Sequence, residues 1–164
     1  MKLAVTLSLE KAEKIVDHVL STAVQEELLP ITVVVLDSGG RLVAMKSQDG
    51  SGVLRFDVAF GKAWGSLGMG MSSRLIRDRL SARPWFQNSL MAASDGRVIP
   101  VPGGVLVEDK QGITIGAVGV SGDTSEKDEY CAIAAIHAVG LHSEPAEVDV
   151  DWKSSCLSDE GVDH

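Results

Sequence analysis

The sequence predicts an α+β domain with a mainly antiparallel five-stranded sheet and helices packed on it. Helical and strand-like segments are grouped along the chain and do not alternate, which argues against a doubly wound parallel sheet. Two turns, "DSGGR" and "DKQG", join neighbouring strand-like segments, as in hairpins. The first and last long helical segments each carry an apolar surface that a sheet could cover. At 164 residues the chain is long enough for a single domain with a sizeable core.

The first third of the chain is predicted to be a helix followed by a hairpin. Residues 8–28 place apolar side chains at helical spacing, with Ser8 as a suitable N-cap, and Pro30 ends the pattern. "ITVVVLD" (31–37) is β-branched and almost wholly apolar, which is typical of a strand covered on both faces. "LVAMKSQ" (42–48) follows as the returning strand.

The middle is predicted to be helical and the following part stranded. Residues 53–71 are rich in Ala, Gly and Met, "SSRLIRDRLSAR" continues as a basic helix, and Pro84 opens a third short helix. In "RVIPVPGGVLVED" (97–109) we expect two short strands broken by the prolines. "QGITIGAVGVSG" (111–122) is expected to be the last strand.

The end of the chain combines an apolar helix with an acidic tail. Residues 124–142 are apolar on nearly every side, which predicts a helix buried centrally or at a subunit interface. We expect one domain over residues 1–143 and a loosely attached acidic tail over 144–164. The last dozen residues are expected to be disordered.

Composition excludes several functions and favours the cytoplasm. A net charge of −8 and a pI near 4.9 disfavour nucleic acid and anionic membranes as partners. No apolar run approaches the ~18 residues of a membrane helix, and the N-terminal stretch is not a signal peptide. The two cysteines show no metal-ligand spacing and suit a reducing compartment. No metal site is predicted.

"GAVGVSGDTSEKDE" (116–129) contains the first candidate site. The amides of Ser121 and Gly122 stand before a helix and could receive a carboxylate or phosphate. Alternatively, Asp123 or Thr124 is the N-cap, and Asp123 with Glu126 forms a capping box. Both interpretations stay open at this point.

Two further candidates lie upstream. Gly103 and Gly104 either form a bend between strands or let the backbone approach a ligand closely. Lys62, among apolar neighbours, could act as a base or amine nucleophile if its pKa is lowered, or could simply pair with an acid such as Asp57 or Asp49. Arg55 is the other candidate anion partner, because a guanidinium binds carboxylates bidentately.

The remaining ligand-type side chains indicate no haem or metal constellation. Met69 and Met71 could be axial ligands, but glycine-spaced methionines more often fill apolar gaps. His137 lies in an apolar helix and is more often a hydrogen-bonded core residue than a ligand.

Three stretches carry a resemblance to a known family: "DGSGVLRFDVAFGKAWGSLGMG", "VPGGVLVED" and "GAVGVSGDTSEKDEYCA". Together, in this order, they resemble the GlcG/HbpS-like haem-binding family, which is related to the C-terminal part of PduO-type cobalamin adenosyltransferases. The match covers residues 9–142. The resemblance implies a profilin-like or PAS-like three-layer domain, a homo-oligomer, and haem or a corrinoid as ligand. It also places a recurring family lysine at Lys62.

Three functions follow from these observations. The first is a small-ligand-binding protein that holds haem or a corrinoid, with Arg55, Gly103, Gly104, Ser121, Gly122 and Asp123 as ligand-binding residues. The second is a small enzyme for a compact carboxylated or carbonyl-bearing metabolite, in which Lys62 moves a proton and Asp128 or Glu129 orients a hydroxyl. The third is a homo-oligomeric assembly protein.

Overall fold

The computed structural model describes residues 3–157, which form a three-layer α+β domain around one antiparallel sheet. The helices are α1 (Leu9–Gln25), α2 (Arg55–Met69), α3 (Ser73–Leu80), α4 (Pro84–Ala93) and α5 (Ser125–Ala138). The strands are β1 (Thr32–Asp37), β2 (Leu42–Ser47), β3 (Gly104–Glu108), β4 (Thr114–Ser121) and β5 (His142–Glu144). Their spatial order is β2-β1-β4-β3-β5, and every neighbouring pair is antiparallel. The predicted α+β class with five antiparallel strands is confirmed.

Strand alternation sends β1 side chains to two separate cores. Val33 and Val35 face the larger core, which α1 and α5 cover, whereas Val34 and Leu36 face the smaller core under α2. This is why β1 is apolar throughout: all six of its residues are buried.

Glycine in β4 lets α2 lie unusually close to the sheet. A Cβ built on Gly119 would stand 1.9 Å from the carbonyl oxygen of Ala59 in α2. No side chain fits in that space, so helix–sheet packing requires the second glycine of "GAVGV", Gly119. The close approach positions the side chains of α2 against the end of β4.

One predicted strand is wrong in position. Residues 97–103 form no strand; instead the amide of Ile99 donates to the carbonyl of Gly61 at 3.4 Å, so this segment packs on α2. Pro100 and Pro102 have no amide hydrogen, so they cannot donate a hydrogen bond to a neighbouring strand. The fifth strand is β5, three residues that pair with β3 at the edge of the sheet.

The C-terminal part packs more closely than expected. Helix α5 ends at Ala138, and Gly140 follows in the left-handed region with φ 74°. The expected domain boundary at residue 143 falls inside β5. Trp152 is buried, and its ring stacks on that of Tyr130 at 3.6 Å between centroids. Of the predicted disordered residues, 158–164 lie outside the described part of the chain.

Helix α5 is buried inside the domain. Its apolar face packs against α1 and the sheet through Cys131, Ala132, Ile133, Ala135 and Ile136. Of the two alternatives for this helix, central burial is the one observed.

Candidate functional site

A mainly apolar cleft of about 420 Å³ lies between the start of α2 and the segment 96–99. Its apolar walls come mainly from Leu54, Phe56, Val58, Phe60 and Ile99. The rings of Phe56 and Phe60 stand 6.0 Å apart. This volume is within the range of small-molecule sites. We call these residues, together with Asp57, Gly96 and Arg97, the aromatic cleft.

Arg97 supplies the cationic side of the aromatic cleft. Its guanidinium carbon lies 4.1 Å from the centre of the Trp64 ring, and its Nε donates to the carbonyl of Ser94 at 3.2 Å. Its terminal nitrogens form no hydrogen bond or ion pair with any residue between 3 and 157. The aromatic ring holds the guanidinium in place while leaving donors for an anionic group.

The residues that line the aromatic cleft suit the porphyrin ring of a haem, but they include none of the usual ligands of its iron. No histidine, cysteine, methionine or tyrosine is among the residues that line it, and Asp57 is its one carboxylate. The walls offer apolar surface and one guanidinium, which suits an apolar molecule with an acidic substituent. They do not provide the axial ligands that haem iron usually has.

Lys62 and Asp128 form a buried ion pair at one end of β4. Lys62 Nζ donates to Asp128 Oδ2 and to the carbonyl of Val120, both at 2.9 Å. Only 2% of the Lys62 side chain and 1% of the Asp128 side chain are exposed. Burial raises the pKa of the Asp128 carboxyl, and Lys62 opposes that shift. The pair joins α2 on one face of the sheet to α5 on the other.

Gly103 closes the space over this ion pair. It adopts φ 115°, and a Cβ on it would stand 2.8 Å from Lys62 Nζ. The two candidate features, the glycine bend and Lys62, are therefore adjacent. The amine is enclosed by protein groups on these sides. A role for Lys62 as a base stays a prediction.

The amides proposed for anion binding already have partners. The amide of Gly104 donates to Ser73 Oγ at 2.8 Å. The amide of Asp123 donates to Asp128 Oδ1 at 3.2 Å, and Gly122 hydrogen-bonds to the same carboxylate through its backbone. The amide of Gly122 is thus not free to bind an anion, because the Asp128 carboxylate occupies it, and Ser73 occupies the amide of Gly104 in the same way.

The helix-cap alternative is the one the structure shows before α5. Thr124 is the N-cap, and its hydroxyl accepts from the amide of Lys127. The Asp123–Glu126 capping box is not formed, because Asp123 instead accepts from the amides of Leu29 and Thr124. These bonds lower the pKa of Asp123, although burial acts in the opposite direction as the largest single influence.

Arg55 and Ser121, two other predicted ligand-binding residues, do contact each other. Arg55 is the first residue of α2, and its Nη1 donates to Ser121 Oγ at 3.2 Å. The guanidinium therefore lies against the end of β4, beside a buried hydroxyl.

The remaining candidates have structural partners. His137 Nε2 lies 2.9 Å from Ser143 Oγ, so the expected hydrogen bond is present, but the residue is exposed and the expected core position is wrong. Met69 and Met71 line a small cavity of about 130 Å³ together with Phe86. Among residues 3–157, no group of three or more His, Cys, Asp or Glu side chains is placed to hold a metal ion.

Sequence reasoning did not anticipate that Glu129 is buried. Only 1% of its side chain is exposed, and neither carboxylate oxygen has a hydrogen-bond partner among the described residues. Arg74 Nη1 lies 3.3 Å from Oε1, which is an ion-pair distance without hydrogen-bond geometry. Burial raises the pKa of Glu129 to about 7. The sequence did carry a signal of this burial. Ala132, Ile133 and Ile136 follow Glu129 at i+3, i+4 and i+7, which puts Glu129 on the apolar face of the helix.

The fold and these sites define a small three-layer α+β domain with a ligand-sized cleft beside its central helix. Residues 7–137 match the family described as "Haem degrading protein HbpS-like", so the chain belongs to the HbpS-like family. Among curated proteins, it is 29% identical over 131 residues to an uncharacterized 15.0 kDa protein from the dhaT-dhaS intergenic region of Citrobacter freundii. That match covers 80% of this chain and 90% of the relative.

Solved structures show the same fold. The protein ORFY of Klebsiella pneumoniae is 26% identical, with a TM-score of 0.75 over 85% of this chain and 94% of that one. A complex of PduOC with heme is 24% identical, with a TM-score of 0.76 over 84% of this chain and 98% of that one. No helix in the part of the chain between residues 3 and 157 is long and apolar enough to cross a membrane.

Proposed function

We propose that this protein binds haem, or a related tetrapyrrole, in the aromatic cleft. The observation that carries the proposal is an apolar cleft of about 420 Å³ with two phenylalanine rings in its wall and a guanidinium at its side. Membership of the HbpS-like family and the likeness to a heme complex support the choice of ligand.

In this proposal the apolar and the charged side chains of the aromatic cleft bind different parts of the ligand. Phe56, Phe60 and Ile99 contact the flat apolar body of the ligand and remove its surface from water. Arg97 binds an acidic substituent through its terminal nitrogens. A corrinoid carries bulky groups above and below its ring, so we expect it to fit this cleft less well than haem.

A pair of neighbouring substitutions tests the proposal. Leu54 lines the cleft but is 67% exposed, so Leu54→Asp charges the site without opening the core. We expect it to weaken haemin binding, followed by the Soret band, about tenfold or more. Val53 is 94% exposed and is not among the cleft residues, so Val53→Asp is the matched control and should bind like the unmodified protein.

Two results would contradict the proposal. One is the absence of a saturable Soret change at micromolar protein. The other is equal haemin affinity of the unmodified protein and both variants, since binding would then occur elsewhere.

Assembly into a homo-oligomer is a second candidate, favoured by α4. This helix has no buried residue, and Trp85 and Phe86 are 85% and 50% exposed. A ten-residue helix is marginal by itself in water, so its apolar side needs cover. We propose that a second copy of the chain supplies it through the same helix, as in a two-fold interface.

Sedimentation of a charged variant tests this assembly. Trp85→Glu should shift the protein towards the monomer, whereas Val150→Glu, at a site 90% exposed on the C-terminal segment, should leave the assembly unchanged. A monomeric unmodified protein at working concentration would contradict the proposal.

Both cysteines are free thiols, which supports the proposal of a reducing, cytoplasmic location.

A further inference from the structure

Three neighbouring strands carry a row of hydroxyl groups at one end of the sheet. Thr32 in β1 pairs in register with Ser47 of β2 on one side and with Ser121 of β4 on the other. Directly paired residues of antiparallel strands face the same side of the sheet. Since Val34 and Leu36 of β1 face α2, Thr32 and both partners lie on the α2 side.

A fourth hydroxyl extends this row. Thr32 Oγ1 lies 2.8 Å from Ser47 Oγ and 2.8 Å from Ser51 Oγ. Thr32 and Ser121 are buried, with 1% and 0% of their surface exposed. Hydroxyls both donate and accept, and they rotate to suit a new partner. We call these four residues the hydroxyl row.

Arg55 places a positive charge against the hydroxyl row. Of its five N–H donors, the structure engages one, on Ser121 Oγ at 3.2 Å. No carboxylate among residues 3–157 lies within ion-pair distance of Arg55. The chain has 23 acidic residues and a net charge of −8, so carboxylates that could pair with an arginine are plentiful. Arg55 is nevertheless half-buried without a carboxylate partner among residues 3–157.

An open cleft borders the hydroxyl row at Ser47. It measures about 480 Å³ and is lined by Leu28, Pro30, Ser47, Gln48 and Asp49. Ser47 belongs both to this cleft and to the hydroxyl row. Asp49 adds one negative charge to the wall, which disfavours a dianion such as phosphate more than an anion with a single charge.

We propose that Arg55 and the hydroxyl row form a binding site for a small monocarboxylate. The guanidinium binds the carboxylate bidentately, and hydroxyl groups of the row donate the further hydrogen bonds that its oxygens accept. This site shares no residue with the aromatic cleft, so it stands or falls independently of haem binding.

Acetate is the probe for the test. Sodium acetate is titrated at constant ionic strength, set with sodium chloride, and the arginine Nε–Hε and backbone amide NMR signals are followed. We expect saturable shifts at Arg55, Thr32 and Ser121, and at least tenfold weaker binding in Arg55→Gln. Arg79→Gln, which alters an exposed arginine with no side-chain partner among the described residues, is the matched control and should bind acetate normally.

Further variants and anions separate the alternatives. Ser121→Ala tests the site without removing charge and should weaken binding severalfold, which keeps the proposal testable if Arg55→Gln does not fold. Unchanged affinity in folded Arg55→Gln or in Ser121→Ala would overturn the proposal. Equal shifts with chloride alone, or tighter binding of inorganic phosphate than of acetate, would overturn the assignment to a monocarboxylate.

Discussion

Lys62 Nζ and Asp128 Oδ2 lie 2.9 Å apart inside the protein, and this contact joins the helix layers on opposite faces of the sheet. The amine is also bonded to the carbonyl of Val120, and the carboxylate is bonded to the amides of Gly122 and Asp123. Each charge therefore has the hydrogen bonds that make burial tolerable.

Removing one partner of this pair should be strongly destabilising. We expect Asp128→Leu to lower the free energy of unfolding by about 3–5 kcal/mol, because it leaves the Lys62 amine buried without its counter-charge. The double variant Lys62→Met with Asp128→Leu should recover much of that loss, since no unpaired charge remains. Urea unfolding of the single and double variants measures the coupling.

An exposed ion pair on α1 provides the control for that cycle. Lys14 and Glu10 lie 2.7 Å apart, with 59% and 78% of their side chains exposed. Glu10→Gln should leave stability almost unchanged. If the double variant at Lys62 and Asp128 were as unstable as the sum of its single variants, the two groups would not act as a pair.

Glu129 should make stability depend on pH. Its pKa is about 7 in the folded protein against an ordinary value of 4.5, so the folded state holds the proton more tightly than the unfolded state. The free energy of unfolding should therefore fall as pH rises from about 4.5 to about 7, by ~3 kcal/mol in total. Below that window the carboxyl is protonated in both states, and above it the full cost of burying the charge remains.

Glu129→Gln tests this dependence. It should flatten stability between pH 4.5 and pH 7 and raise the melting temperature at pH 8. Glu13→Gln, a change at an exposed acid of α1 that does not act on Glu129, should keep the slope of the unmodified protein. A Glu129→Gln variant that is less stable at pH 8 would contradict the raised pKa.

Gly119 should tolerate no side chain. Gly119→Ala places a Cβ where the carbonyl oxygen of Ala59 stands at 1.9 Å, so α2 must move away from the sheet. We expect a loss of about 2–3 kcal/mol in the free energy of unfolding. Gly68 lies in α2 itself, and a Cβ added to it would meet nothing within 4 Å. Gly68→Ala should instead raise stability, by up to about 1 kcal/mol.

Trp152 should anchor the C-terminal segment to α5. Its ring stacks on that of Tyr130 with an angle of 8° between the planes, and only 8% of the residue is exposed. Trp152→Ala should reduce the free energy of unfolding by about 3 kcal/mol. Val150→Ala, at a 90% exposed neighbour, should change it little. Equal stability of the two variants would mean that the segment adds nothing to the fold.

Regular patterns allowed most of the fold to be predicted from the sequence. The amphipathic first helix, the apolar β1 and the turn before β2 all carry local signals that tertiary packing reinforced. β5 could not be predicted in the same way, because three residues, "HSE", are too few to show alternation. Its pairing depends on the edge that β3 presents.

The candidate site was predictable in its members more than in its contacts. Lys62, Gly103 and Asp128 were each singled out, and they do lie together. The sequence could not show that Asp128 uses its own carboxylate to occupy the amides of Gly122 and Asp123, because that bonding depends on side-chain direction after folding. The aromatic cleft was missed, since it is formed by α2 and a non-regular segment about 40 residues later in the chain.

The most direct test of the central claim compares haemin with metal-free protoporphyrin on the unmodified protein. The aromatic cleft offers apolar walls and Arg97 but no histidine, cysteine, methionine or tyrosine. We therefore predict that both compounds bind with dissociation constants equal within a factor of about three. Binding of haemin alone, with the absorption spectrum of histidine-ligated iron, would contradict the account.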